Sequence, residues 1–228
     1  MIQVSAGRGI VRMRMTRMFF AGLICAALVP ATVSAQRTRD FEDSWFWGAK
    51  GGVSTYTPTL GSSETAATFG VDWLVTRTRG ALYVSFDQAN VDAMSAVFDP
   101  TADGSTRAVK IEHLRRIGFA ALAFPKRFGR FRPYAGLGVN IDLIGSANPV
   151  LTSDESTVDD AVFQRIDDRK SQAALLGMGG LQAQFGRAAV FGQASFVPAN
   201  KKFLLDDSMG FFEFGLRYNV GGAREGIK

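Results

Sequence analysis

The sequence predicts an all-β chain: an eight-stranded antiparallel up-and-down transmembrane β-barrel. Three observations predict it. Residues 1–35 read as an export leader, the remainder holds eight segments with an apolar–polar period of two, and the connections between those segments alternate long and short. A period of two places successive side chains on opposite faces of a strand. In a lipid-embedded barrel the apolar face looks outward and the polar face lines the lumen. A soluble barrel of lipocalin type, which binds a ligand in an apolar interior, is the alternative, and the location of the charged alternates separates the two.

The leader comes first. Arg8, Arg12, Arg14 and Arg17 form a basic region, residues 18–29 an apolar core too short to span a bilayer, and Val33, Ser34 and Ala35 the small residues of a cleavage site. No two of these leader arginines are adjacent, so general secretion is expected and not the twin-arginine route; Met13 or Met15 is an alternative start. Cys25 lies inside the apolar core without the small preceding residue that lipoprotein processing wants, and it is the only cysteine. Of 26 basic residues the leader carries four and no acid, leaving 22 against 21 acidic residues in a mature chain of 193. The basic excess therefore travels with the leader and does not indicate nucleic acid. Without cysteines, the exported chain draws its stability from a full core or from a membrane. It has no apolar run near the ~20 residues of a membrane helix, so any crossing falls to strands. The expected organisation is a cleaved signal peptide over 1–35, a periplasmic lead-in over 36–43, a barrel over 44–220 and a short periplasmic tail over 221–228.

The segments follow in order. Residues 45–55 set Trp45, Trp47, Ala49, Gly51 and Val53 against Lys50, and residues 67–76 set Phe69, Val71, Trp73 and Val75 against Gly70, Asp72 and Leu74. Residues 81–89 oppose Leu82, Val84 and Phe86 to Tyr83, Ser85 and Asp87. Residues 109–124 put Ile117, Phe119, Ala121 and Ala123 outside and Arg116, Gly118 and Ala120 inside. Over 133–144, Leu137, Val139, Ile141 and Leu143 face away from Tyr134, Asn140 and Asp142. Residues 172–185 turn Leu175, Leu181 and Phe185 away from Met178, Gln182 and Gln184; residues 189–197 oppose Val190, Ala194 and Phe196 to Phe191, Gln193 and Ser195. The last segment is the clearest. Phe212, Phe214, Leu216, Tyr218 and Val220 alternate with Glu213, Gly215, Arg217 and Asn219.

Tight connections are expected at 77–80, 126–131 and 186–187, and longer polar ones at 58–64, 92–107, 145–170 and 198–208. Strict alternation puts every long loop at one end, which is how an outer-membrane barrel arranges outward loops and periplasmic turns. The longest loop, with Ser153, Asp154, Glu155, Ser156, Asp159 and Asp160, reads as a mobile acidic segment. Glycines inside the strands mark either inward packing or bulges. Trp45, Trp47, Trp73 and Tyr218 are placed for an inner aromatic girdle.

Two stretches carry a resemblance. Residues 133–139, Pro-Tyr-Ala-Gly-Leu-Gly-Val, are similar to the aromatic-Gly-x-Gly strand that follows a periplasmic turn in the OmpA/OmpW-like eight-stranded outer-membrane barrels. Glu213, Gly215, Tyr218 and Val220 resemble the last-strand signal of that family, with valine where phenylalanine is usual and eight residues beyond it. The resemblance spans about residues 43–220. It implies an outer membrane of the Gram-negative type, outer-membrane lipid as surroundings, and the barrel assembly machinery and periplasmic chaperones as partners in biogenesis. It does not fix a function, because such barrels serve as anchors, adhesins, pores and enzymes.

Candidate chemistry is sparse. His113 is the only histidine, and alternation puts it outward beside Glu112 and Arg115. No nucleophile with a placed base and no metal-ligand spacing is visible, so no enzyme, cofactor, metal or nucleic acid is expected, and the chain reads as a monomer. The acids of the longest loop read as solvated rather than as a calcium site. The lumen is more informative. Lys50, Asp72, Glu213 and Arg217 fall at similar depth on strands that closure makes neighbours, and Asp87 opposes Arg116. Glu213 is expected to pair with Lys50, with Asp72 shared by Lys50 and Arg217. These six residues would either plug the lumen or form a gated route by exchanging partners. Arg115, level with Gln88, marks the outer interface and is placed to meet lipid phosphates. The expected function is structural or surface-interacting; a narrow channel for small or apolar solutes is the alternative.

Overall fold

The computed structural model describes residues 41–151, 158–199, 203–205 and 208–222. The leader, residues 36–40 of the lead-in, the loop residues Ser153 to Ser156 and residues 223–228 lie outside the described residues.

Nine strands and one α-helix occur in the described residues, with a 3-10 turn at Asp103–Ser105: β1 (Ser44–Tyr56), β2 (Glu64–Thr76), β3 (Gly80–Ala89), β4 (Ala93–Phe98), β5 (Thr106–Ala123), β6 (Phe131–Pro149), α1 (Asp160–Asp168), β7 (Ser171–Phe185), β8 (Ala188–Val197) and β9 (Met209–Gly222). All pairings are antiparallel, β1 pairs with β9, and β3 pairs with β5. Omitting β4, this is a closed ring of eight strands with up-and-down neighbours. Closure leaves no unpaired edge in the ring, as a membrane demands.

The exposed alternates are apolar, with Leu137 77% and Phe214 71% exposed, and the buried alternates carry the charges. That arrangement excludes the lipocalin alternative, in which the apolar face would fill the interior. Trp47 stacks on Trp73 at 6.0 Å, and Trp45 meets Trp73 edge-on at 5.5 Å, close to the short turns. Gly129 and Gly186 sit in two of those turns at φ of 60° and 63°, a region that a residue without Cβ enters freely.

The long-loop end departs from the sequence expectation. The connection expected over 92–107 contains β4, which pairs with the outer part of β5. It continues the line of β3, whose last pair is Ala89 with Leu114, after a break at 90–92. Opposite the break, β5 shifts register between Ile111 and Leu114, so its inward parity changes there. Across from it β6 skips Gly145 between Ile144 and Ser146, and a further shift at Trp45/Phe46 skips Val220 on β9. In the expected loop over 145–170, β6 runs on to Pro149, and α1 follows, its N-terminus capped by the Asp159 side chain accepting from Ala161 N–H at 3.0 Å. Asp159 and Asp160 therefore start a helix, where the sequence suggested mobile loop. Strand β9 extends to Gly222, two residues past the expected barrel end.

Candidate functional site: the lumen

Three layers fill the barrel. The inner layer is aromatic. Phe41, from the lead-in, packs against Phe46 and Phe124 at 5.7 and 4.8 Å, and the Arg132 guanidinium lies 4.1 Å over its ring. The Phe41 carbonyl accepts from the Thr76 hydroxyl, which also accepts from Ser44 N–H at 3.1 Å. These bonds tie the entering chain across the inner mouth.

The middle layer holds the charges, and strand register explains its order. Lys50 is level with Gly70, Gly70 with Asp87, Asp87 with Arg116, Arg116 with Asp142, and Asp142 with Gln172. One row across β1, β2, β3, β5, β6 and β7 thus alternates base and acid, with a glycine between the first two. A Cβ on Gly70 would lie 2.1 Å from Asp87 Oδ1, and that missing side chain lets Lys50 Nζ reach Asp87 at 2.8 Å. Lys50 also donates to Glu213 Oε2 at 2.9 Å and to the Tyr83 hydroxyl at 3.0 Å. Arg116 Nη2 closes the square on Asp87 at 3.1 Å and Glu213 at 3.2 Å, with its guanidinium 3.5 Å over Phe211. Two bases thus share two acids.

Just below, Arg217 donates to both oxygens of Asp72, each at 3.0 Å, and to Gln182 Oε1 at 3.0 Å; its guanidinium stacks 3.7 Å from Phe191. Gly48 is level with both members of the pair, and a Cβ there would come within 2.4 Å of Asp72 Oδ1. Gln193 links the two groups, donating to Glu213 Oε2 at 2.8 Å and accepting from Tyr134 at 2.9 Å. The expected sharing of Asp72 between Lys50 and Arg217 is corrected: Asp72 binds Arg217 through both oxygens, and Asp87 takes its place at Lys50. The space left around Lys50, Arg116 and Glu213 is about 10 Å³, roughly what a single water needs. Tyr83, Gln193, Tyr134 and Gln182 join this layer although the sequence reading did not single them out. Their inward parity was the available signal.

The outer layer is an apolar core above the charges. Val97 of β4, Ile111 and Leu114 of β5, Val162 and Ile166 of α1, and Phe203 to Leu205 are all buried there. Arg165 of α1 and Arg169, the residue just past its end, donate to the carbonyls of Phe98 and Ala96 at 3.0 and 3.4 Å. Leu60 N–H donates to the Met94 carbonyl at 3.2 Å. Carbonyls on the edge of β4 that faces away from β5 are thereby occupied, which blunts a strand edge that would otherwise invite pairing. Asp99, buried beneath the rim, accepts from the Thr101 hydroxyl at 2.6 Å and from Arg107 Nε at 2.5 Å. The Thr101 hydroxyl, then Arg107, then the Thr101 amide hold its pKa down at about 2.

The remaining candidates lie apart. Arg115 is exposed on β5, level with Gln88, and His113 is exposed at the bulge. Within the last-strand motif, Glu213 belongs to the charge square, Gly215 is level with Lys50, and Tyr218 and Val220 face outward. Among the described residues no group of three His, Cys, Asp or Glu side chains is placed to hold a metal. On the outer wall, Gly179, Ala183, Gly192 and Ala194 leave an apolar recess of about 570 Å³ flanked by Phe131 and Phe214.

Fold and filling together define a transmembrane eight-stranded antiparallel barrel. Among solved structures it is similar to Neisserial surface protein A (NspA), with 12% identity, a TM-score of 0.53 and coverage of 77% of this chain and 97% of that one. The attachment invasion locus protein Ail of Yersinia pestis shows 12% identity, covering 78% of this chain and 99% of that one at a TM-score of 0.47. The N-terminal β-barrel domain of Pseudomonas aeruginosa OprF shows 14%, 78% and 98% at 0.47. These are outer-membrane barrels of the OmpA-like type, and at such identities the likeness is one of fold. No family model and no curated protein matches the sequence.

Proposed function

We propose that this chain is an outer-membrane protein with a structural or surface-interaction role, its lumen held shut by paired charges. The observation that carries the reading is the filled middle layer, where the charge square leaves a cavity of about 10 Å³ and the Arg217–Asp72 pair is fully buried. A hydrated ion does not fit there, and exchanging partners would strand a charge in a water-poor interior. The aromatic layer below and the apolar core above support the same reading. The outward apolar face, including the recess over Gly192, suits lipid chains. The surface-interaction part rests on the outer rim, where Phe98, Val150, Leu151 and Phe163 are exposed beyond β5 and its neighbours, a concentration of apolar groups that a purely solvated rim would not need. On this reading the last-strand motif serves barrel assembly, and Arg115 meets lipid phosphates at the outer interface.

Planar-bilayer recording of the purified protein tests the proposal. The expected result is no steady single-channel current. Steady currents that change when Lys50 or Arg217 is neutralised would replace the plug with the narrow channel.

A further inference from the structure

The charge row does not end in balance. Among the described lumen residues of the middle layer, Arg217 neutralises Asp72, and Lys50 and Arg116 together neutralise Asp87 and Glu213. Asp142, the last charged member of the row, is left over. It is fully buried on β6, and Arg116, although level with it, directs its guanidinium to Asp87, Glu213 and the Phe211 ring. The Asp142 carboxylate accepts from Gln172 Nε2 at 2.8 Å through Oδ2, while Oδ1 has no donor. A buried carboxylate whose only polar neighbours are the Gln172 and Asn140 amides, and which has no cation in direct contact, is costly unless something positive joins it.

The surroundings supply what a cation would use. Gln172 Oε1 has no partner, and neither do Oδ1 and Nδ2 of Asn140, whose side chain is completely buried. Asn140 precedes Asp142 by two residues on the same face of β6, and Gln172 stands directly across on β7. The residues level with Asn140 are Gly118 and Ala174, both small. A Cβ added at Gly118 would meet Ser85 Oγ at 3.0 Å and Leu176 Cδ2 at 3.5 Å before Asn140 Oδ1 at 4.0 Å, so those side chains border the Asn140 amide. Three unbonded oxygens, one of them anionic, thus belong to adjacent inward positions of β6 and β7, where one positive charge is missing. Oxygen donors of this kind select hard cations. A single carboxylate suits a monovalent ion, because a divalent ion would turn a deficit of one into an excess of one.

We propose that Asp142, Asn140 and Gln172 form a binding site for one hard monovalent cation of the sodium class, which completes the charge balance of the lumen. The ion acts as a structural counter-charge. It fixes Asp142 against Gln172 and leaves Arg116 free to hold the square.

The test uses the full mature chain refolded in zwitterionic detergent micelles at neutral pH. Sodium is exchanged for tetramethylammonium at constant ionic strength, and the unfolding midpoint is read by heat-modifiable gel migration. In the unsubstituted protein the midpoint is expected to rise with the logarithm of sodium concentration once the site begins to fill. Asp142→Asn should abolish that dependence and unfold in sodium-free buffer no earlier than the unsubstituted protein. Asn140→Leu, which keeps the charges and removes one oxygen, should shift the sodium curve to higher concentration by roughly tenfold. A flat curve for the unsubstituted protein would overturn the proposal, and so would a slope that survives Asp142→Asn, since that slope would be general screening. Should Asp142→Asn fail to fold, infrared spectra of the unsubstituted protein decide. A protonated-carboxyl band that persists in high sodium would mean that a proton supplies the missing charge, and no ion site would remain.

Discussion

Removing Lys50 and Glu213 together should cost the barrel far less than the two single removals summed. In the charge square each base contacts both acids, at 2.8 to 3.2 Å, and every member is buried. Lys50→Met leaves Asp87 and Glu213 to share Arg116, with one negative charge uncompensated. Glu213→Gln leaves Lys50 and Arg116 to share Asp87, with one positive charge in excess. Breaking a buried pair from one side typically costs ~3–5 kcal/mol, so taking the lower end because Tyr83 and Gln193 remain as polar neighbours gives about 3 kcal/mol for each single change. The double variant keeps Asp87 with Arg116, which is balanced, and loses the Lys50 hydrogen bonds and packing. It should cost about 3 kcal/mol in total, which leaves a coupling energy of about 3 kcal/mol, at the upper end for residues in direct contact. Urea unfolding from lipid vesicles, followed by tryptophan fluorescence, measures all four corners of the cycle. Additivity within about 0.5 kcal/mol would refute the shared square and the register of β9 against β1 that places it.

Leu137→Arg tests the orientation of the whole wall. Leu137 lies six residues along β6 from Phe131, about 15 Å above the inner rim for a strand tilted near 40°, so folding into vesicles should lose ~2–4 kcal/mol, whereas an outward residue of a soluble barrel would tolerate the change. Gly48→Ala places a Cβ 2.4 Å from Asp72 Oδ1 and 2.8 Å from Arg217 Cγ; the displaced pair should lower stability by about 1–3 kcal/mol, read as a shift in the urea midpoint. Asp99, with its pKa held at about 2 against an ordinary value of 3.8, stabilises the outer rim fully above pH ~4, and that contribution is lost as pH falls towards ~2. Protease susceptibility of β4 should therefore rise across that window, and Asp99→Asn should remove the pH dependence.

Much of this barrel is written in the period of its strands. The side to which Lys50, Asp72, Asp87, Arg116, Glu213 and Arg217 point follows from alternation alone, because a strand has only two faces and lipid tolerates few charges on one of them. The alternation of short and long connections fixed which end carries β4 and α1. Neither element was read from the sequence. Strand β4 is six residues long, buried on consecutive positions, and faces a bulge that resets the parity of β5. In α1 the spacing of Val162 with Ile166 is helical, but nine residues after an acidic loop carry too little periodic signal to stand out. What only the closed structure decided is who meets whom inside. Lys50 reaches Asp87 across the vacancy of Gly70, Asp72 goes to Arg217 alone, and Asp142 is left without a base. Those partnerships depend on strand tilt and stagger, which bring residues far apart in the chain to one level. A local pattern encodes the face of a strand but not the height at which it meets its neighbours, because that height is set only when the last strand closes on the first.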